Sequence, residues 1–338
     1  MTKEQIDKLI SAGEFPEHNG RPELIETHIS WVILCDRFVF KIKKPVCYSF
    51  LDFSTLEKRK YYCEREIELN KRLTEHIYLD VQPVTEISDL FFIGKKEGEI
   101  IDYAVRMRKQ DRNLQMDVLL SNNKVIHSDM RNLAKKIADF HKKTTIIYQK
   151  DLLDIRNKFN DLGEEKLFLQ EHLTVDSSTI INNAIDISDV FMQKNTALLA
   201  NRLNAGFFRD CHGDLHSRNI FLLPDPQPFD CIEFNDDYRQ IDILNEVAFL
   251  CMDLDAFERQ DLSNLFLKYY NDFFPSVETN KDHQLFVYYK SYRANVRAKV
   301  NSLRARSAGN EMARIIYLDE VNKYLGLMDH YIKLLTIE

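Results

Sequence analysis

The chain has 338 residues, 44% of them apolar, and a formal net charge of −7. That length allows two cores, that apolar share is globular rather than disordered, and the acidic balance excludes a general nucleic-acid binder, which needs a basic surface. No apolar run approaches the ~20 residues that span a bilayer, and the N-terminal MTKEQIDKLI lacks the basic-then-apolar design of a secretory signal, so a soluble, cytoplasmic chain with no membrane partner is expected.

Residues 3–12 place Ile6, Leu9 and Ile10 on one helical face, and Gly20-Arg-Pro22 ends that pattern. Strand patterns follow at 22–27, 31–35 and 38–43, with Asp36-Arg37 as the tight turn between the last two. Ser54-Thr-Leu-Glu57 has the form of a capping box, in which the Ser oxygen and the Glu carboxylate satisfy the free amides of a first turn. It opens a helix to about Leu73. Two further strands, 90–93 and 100–107, flank the charged turn Gly94–Gly98. After Met107 helical periodicity dominates, at 128–144, 186–204, 240–256, 284–306 and 312–335. The only strand-like pieces there are 220–223 and 229–234, separated by the turn Pro224-Asp-Pro-Gln-Pro228. The expected class is therefore α+β. A small antiparallel sheet with one main helix fills 1–108, and a larger, mostly helical lobe fills 109–338. Six cysteines, at 35, 47, 63, 211, 231 and 251, form no C-x-x-C pair, so buried reduced thiols are expected rather than a zinc site.

The segment His212-Gly-Asp-Leu-His-Ser-Arg-Asn219 sets Asp214 five residues before Asn219. Phosphotransferases of the protein-kinase type use that spacing for a catalytic Asp and a metal-binding Asn. Phe229-Asp-Cys-Ile-Glu-Phe-Asn235 follows and carries Glu233 where such enzymes keep their other metal carboxylate. In this reading Asp214 accepts the proton of a substrate hydroxyl. The competing reading is a loop Asp that caps its own backbone, and the offset to Asn219 argues against it. Asn219 and Glu233 offer the oxygen ligands that a hard cation such as Mg²⁺ requires, although Asp230 and Glu233 could instead emerge from an edge strand by simple alternation. His212 and His216 have a spacing that suits zinc on a helix. Gly213 and the polar residues after it argue against a helix, which leaves structural or substrate-orienting roles.

Lys41 and Lys43 share a face of the 38–43 strand, and one of them is placed to reach nucleotide phosphates. Lys41 is favoured, Lys43 is its rival, and Lys44 reads as a solvated strand end. Among Glu64, Glu66 and Glu68, Glu66 best fits an inward face with Leu69 and Leu73. No glycine-rich loop is present, and Glu26–Trp31 stands in its place with Thr27, Ser30 and backbone amides as phosphate contacts. The absence of G-x-x-x-x-G-K-[ST] excludes a P-loop mechanism. Arg293, Arg297 and Arg304 fall on one helical face, as an anion or partner patch or as ion pairs within the same lobe.

His-Gly-Asp-Leu-His-x-x-Asn resembles the catalytic loop of the aminoglycoside phosphotransferase family, a branch of the protein-kinase-like fold. The resemblance is specific at 211–246, and extends to Glu26–Leu73 and Leu133–His141. More narrowly, Glu26–Trp31, Lys41–Pro45, Leu51–Thr55 and Tyr292–Val300 resemble an uncharacterised bacterial subgroup, often fused to a P-loop ATPase-like domain. The resemblance implies a two-lobed kinase-like unit that binds ATP between its lobes. Asp214 would be the base, and Asn219 and Glu233 the Mg²⁺ ligands. Lys41 would hold the ATP phosphates and pair with Glu66, Ala104–Met107 would meet adenine, and Asp242 would brace the catalytic loop. Two departures stand out: Glu233 replaces the usual Asp, and the glycine loop is missing. The expected reaction is transfer of the γ-phosphate of ATP to a hydroxyl of a small molecule, with Asp236 and Asp237 suited to a cationic acceptor such as an amino sugar. Two alternatives share the fold: a nucleotide-binding pseudokinase or regulatory module, and a Ser/Thr kinase acting on protein.

Overall fold

The computed structural model describes residues 1–336. In chain order the first part gives α1 (Lys3–Ala12), β1 (Glu23–Glu26), β2 (Ser30–Leu34), β3 (Phe38–Lys43), β4 (Cys47–Tyr48), β5 (Leu51–Asp52), α2 (Leu56–Asn70), β6 (Tyr78–Ile87), β7 (Leu90–Ile93) and β8 (Glu99–Arg108). The remainder gives α3 (Met116–Ser121), α4 (His127–Lys143), α5 (Asp154–Asn160), α6 (Lys166–His172), α7 (Ser177–Asn204), β9 (Phe208–Asp210), β10 (Ile220–Phe221), β11 (Gln227–Pro228), β12 (Gln240–Asp242), α8 (Ile243–Ala256), α9 (Gln260–Phe273), α10 (Asn280–Arg306) and α11 (Glu311–Thr336). Contacts divide them into two compact units: Met1–Leu119 with Arg218–Arg239, and Leu120–Ser217 with Gln240–Glu338.

The first unit is built on a six-stranded antiparallel sheet in the order β1-β2-β3-β8-β6-β7. Alternation along β3 sends Phe38, Phe40 and Ile42 to one face. There they pack with Trp31, Ile33 and the apolar stripe of α1, Ile6, Leu9 and Ile10. Thr2 starts α1 with a capping box: its hydroxyl accepts from Gln5 N–H, and the Gln5 side chain accepts from Thr2 N–H. A second apolar cluster, Cys63, Ile77, Tyr78, Val105 and Met107, joins α2 to β6 and β8.

Three local expectations change. The N-cap of α2 is Thr55, whose hydroxyl accepts from Lys58 N–H at 3.3 Å, while Ser54 instead donates to Asp52 at 2.6 Å, and the helix ends at Asn70. A ten-residue strand, β6, stands where no element is expected. Residues 229–234 form no strand, because Asp230 takes a left-handed backbone (φ 63°) that interrupts extension.

The second unit is helical. Its core helix, α8, is buried continuously from Ile243 to Asp255, and α10 packs against both α8 and α11. Helices α5, α6 and α9 were not anticipated from periodicity, and α7 begins at Ser177, earlier than the pattern implies. Five of the six cysteines are buried, as free thiols, and Cys47 is exposed. Among the described residues no helix is long and apolar enough to cross a membrane.

Candidate active site

In the first unit the residues singled out by sequence converge on β3. The strand alternation that buries Phe40 and Ile42 turns Lys41 and Lys43 to the opposite face, where α2 supplies Glu66. Lys41 Nζ donates to Glu66 Oε1 at 2.8 Å and to Asp230 Oδ1 at 2.7 Å. Lys43 Nζ donates to Glu66 Oε2 at 2.7 Å and to Glu233 Oε1, and it also lies 4.9 Å from the Phe53 ring. Both lysines thus share one glutamate, so the choice between them as partner of Glu66 dissolves.

The electrostatics follow from burial and these contacts. Burial opposes charge on Lys41, but Asp230, Glu66 and Glu233 outweigh it and hold the ammonium well above its ordinary range. Burial also opposes ionisation of Glu66, yet the two lysines hold it down to about 2. At Glu233 burial wins: with Glu66 adding to it, the carboxyl is pushed up despite Lys43 and Lys41.

The irregular segment carrying Glu233 is tied down residue by residue. Asp230 N–H donates to the Tyr78 hydroxyl at 3.1 Å, Cys231 N–H to Asn70 Oδ1 at 2.9 Å, and Ile232 C=O accepts from the fully buried Arg239 at 2.8 Å. Asn219 ends a short 3₁₀ turn, and its carbonyl accepts from Phe229 N–H at 2.8 Å. Glu233 Oε2 accepts no hydrogen bond from any described residue, so it retains the lone pairs a cation needs.

Other expected contacts of this unit sit elsewhere. Ser30 opens β2 with its hydroxyl buried and unpartnered, and its amide and carbonyl are spent on the turn to Thr27. Ala104 and Met107 are buried inside β8, opposite Ile42 and Val39 respectively.

In the second unit β9 pairs with β12 and delivers the loop that holds Asp214. Gly213 adopts φ 90°, a conformation that a side chain would strain. The loop amides are held by two buried carboxylates of α8. Glu246 accepts from His212 N–H at 3.0 Å and Gly213 N–H at 2.6 Å, and Asp253 accepts from Ser217 N–H at 2.8 Å. Arg293 donates to Gly213 C=O at 3.1 Å and to Asn245 Oδ1 at 2.6 Å. His141 sets the other side of Glu246: its Nε2 lies 2.9 Å from Oε1, and its Nδ1 2.7 Å from the Tyr270 hydroxyl. With Cys211 these residues form a compact group of possible metal donors, but both His141 ring nitrogens are already engaged. These partners hold Glu246 down to about 2 in spite of burial.

The Asp214 side chain is 37% exposed, with Oδ2 3.4 Å from His216 Nε2. His212 Nδ1 accepts from the Asp214 amide at 3.2 Å, which fixes the ring and its tautomer. Burial opposes ionisation of Asp214, but His216, Arg297 and His212 prevail and hold it well below the usual carboxylate range. The two histidines are therefore partners of the aspartate and its loop.

Asp242, expected to brace this loop, caps α8 through Leu244 N–H and pairs with Arg202 at 2.6 and 2.9 Å. Bracing comes from Glu246 and Asp253, whose carboxylates carry no motif signal of their own. On α10, Arg293 is spent on the loop, Lys299 pairs with Asp161 at 3.1 Å and Arg306 with Glu165 at 3.1 Å. Arg293, Lys299 and Arg306 thus serve their own unit.

No protein-family model matches the chain. Among curated proteins, uncharacterized protein Rv2004c of Mycobacterium tuberculosis is 31% identical over 298 residues, which cover 85% of this chain and 56% of that protein. The chain thus spans little more than half the length of this relative. Among solved structures, a choline/ethanolamine kinase family protein from Mesorhizobium loti superposes with a TM-score of 0.54 at 11% identity, over 100% of both chains. The AMP-bound complex of spectinomycin phosphotransferase APH(9)-Ia gives 0.53 at 11% identity, over 96% of this chain and 97% of that one. The GDP and kanamycin complex of the phosphotransferase APH(2")-IIIa gives 0.50 at 14%, over 98% of each. The chain therefore has the protein-kinase-like fold of the aminoglycoside phosphotransferases and the choline and ethanolamine kinases.

Proposed function

We propose that the chain is a phosphotransferase that moves the γ-phosphate of ATP to a hydroxyl group of a small molecule, with 1–108 as its nucleotide-binding lobe and 109–338 as its catalytic and substrate lobe. The observation that carries this reading is Asp214: its carboxylate stays ionised and over a third exposed, while Glu246, Asp253 and Arg293 hold the loop around it in one shape. A group that orients an acceptor hydroxyl and takes its proton needs that combination of charge, access and rigidity. The nucleotides bound in the similar structures support the donor class.

Lys41 would neutralise the phosphates of ATP, held in place by Glu66. Asn219 and Glu233 are the residues suited to Mg²⁺, since Glu233 keeps one oxygen without a donor. Mg²⁺, when bound, would offset the charge that builds on the transferring phosphate. As the acceptor oxygen bonds to phosphorus and its O–H bond breaks, Asp214 receives the proton and ADP leaves. Exposed Asp237, next to an Asp236 that already pairs with Arg239 at 2.6 Å, favours a cationic acceptor.

The test is ADP release and acceptor phosphorylation, by mass spectrometry, with Mg·ATP and pools of amino sugars, amino alcohols and other polyols. Transfer that Asp214→Asn lowers by about 10²–10⁴-fold is the expected result. Nucleotide binding without transfer to any pool, unchanged by Asp214→Asn, would overturn the reading in favour of a binding module.

A further inference from the structure

The charges behind β3 form an open chain of alternating sign: Asp230, Lys41, Glu66, Lys43, Glu233. Its two ends differ in access. At one end the Lys43 and Glu66 side chains are fully enclosed and that of Glu233 is 4% exposed. At the other, Lys41 is 13% and Asp230 43% exposed. An ion pair that solvent reaches is weak and readily exchanged, whereas breaking an enclosed one strands charge in a low dielectric. An incoming anion can therefore compete for Lys41 but not for Lys43.

The backbone around Asp230 is arranged for this end. Residue 230 is left-handed, its amide is held by the Tyr78 hydroxyl, and Oδ1 faces Lys41 while Oδ2 accepts nothing from the described residues. Without Asp230 two ammoniums would share Glu66 and Glu233 alone, at balanced charge. With it, three carboxylates face two ammoniums, a net charge of −1 among these groups.

We propose that Asp230 is the displaceable counter-ion of Lys41. It holds the ammonium in the nucleotide-free protein, a nucleotide phosphate takes its place, and Lys43 stays with Glu66 and Glu233 throughout. The inference rests on Lys41 as the phosphate-binding lysine. A phosphate outcompetes a single carboxylate because it brings more charge and more acceptor oxygens to the same ammonium. The released Asp230 carboxylate then lies close to the phosphates and repels them, so binding of the bare nucleotide is penalised and a divalent cation relieves the penalty. Asp230 is thus a positioning residue that couples nucleotide affinity to the cation.

The experiment measures the ATP dissociation constant by calorimetry, in EDTA and in Mg²⁺, for the wild type, Asp230→Asn, Asp230→Ser and Lys41→Met. Both Asp230 variants are expected to bind ATP about threefold or more tighter than the wild type in EDTA, with a smaller gain on adding Mg²⁺. Equal or weaker binding in EDTA by both, while Lys41→Met abolishes binding, would overturn the counter-ion role alone. Unchanged binding by Lys41→Met, or no ATP binding by the wild type, would overturn the assignment of Lys41 and this inference with it.

Discussion

Replacing Glu246 by Gln tests the claim that a buried carboxylate shapes the Asp214 loop. The substitution keeps volume and removes one charge. Oε1 serves His212 N–H at 3.0 Å and His141 at 2.9 Å, and Oε2 serves Gly213 N–H at 2.6 Å. Whichever way the new amide is turned, its NH₂ group meets an N–H donor, so one loop amide loses its acceptor. An unmet buried donor, together with two hydrogen bonds that lose their charge assistance, amounts to about 3–5 kcal/mol. The protonation equilibrium agrees: a carboxyl held at about 2 rather than 4.5 corresponds to about 3 kcal/mol at neutral pH. A loss of that size is a large part of a typical domain's stability and lowers the unfolding midpoint by roughly 5 °C or more. The measurement is thermal unfolding by circular dichroism from pH 7 to pH 2. Because the folded value lies below the ordinary one, the contribution is complete above about pH 4.5 and vanishes as pH falls through about 2, so the gap between wild type and variant should close over that window. A variant that unfolds within about 1 °C of the wild type at pH 7 would refute the reasoning.

Two further outcomes are expected. Arg202, buried and bonded to Asp242, Asp282 and Ser276 C=O, should cost about 3–5 kcal/mol when changed to Ala in denaturant unfolding; a loss under about 1 kcal/mol would show that this pair is not holding α8 to its neighbours. Thiol titration with an aromatic disulfide should find one fast cysteine, Cys47, in the native protein and six after denaturation. Two or more fast thiols would contradict the burial of the other five.

What could be read from the sequence depended on whether a residue's partners were local. The three β3 apolar positions and the α1 stripe announce themselves by period, and the structure buries both sets. Glu66 could be picked from three neighbouring acids because Leu69 lies one turn beyond it on the inward face, and the structure pairs it with both lysines. Strand β6 escaped notice because its sequence, YLDVQPVTEI, has Pro83 inside the run and sets Asp80 and Gln82 on the same face as Tyr78 and Val84. Asp80 is settled across the sheet by Arg106 at 2.9 Å, and Gln82 donates to Asp80 along the same strand at 2.7 Å. The segment 229–234 misled in the opposite sense: its apolar residues suggest extension, while Asp230 spends its conformation on reaching Lys41. Glu246 and Asp253 left no trace because α8 is buried on every side, so no amphipathic stripe distinguishes an anchoring acid from one that faces water.

Those two acids lie seven residues apart on α8, two helical turns or about 10 Å along its axis. The loop from His212 to Ser217 is therefore strung alongside the helix like a cord between two pegs, with Asp214 carried between them. The helix acts as a ruler for the loop. Inserting or deleting a single residue between Val247 and Met252 would swing one peg about 100° around the axis and leave the cord fastened at one end. The count of residues between the pegs is thus as fixed a requirement of the loop as the two carboxylates themselves.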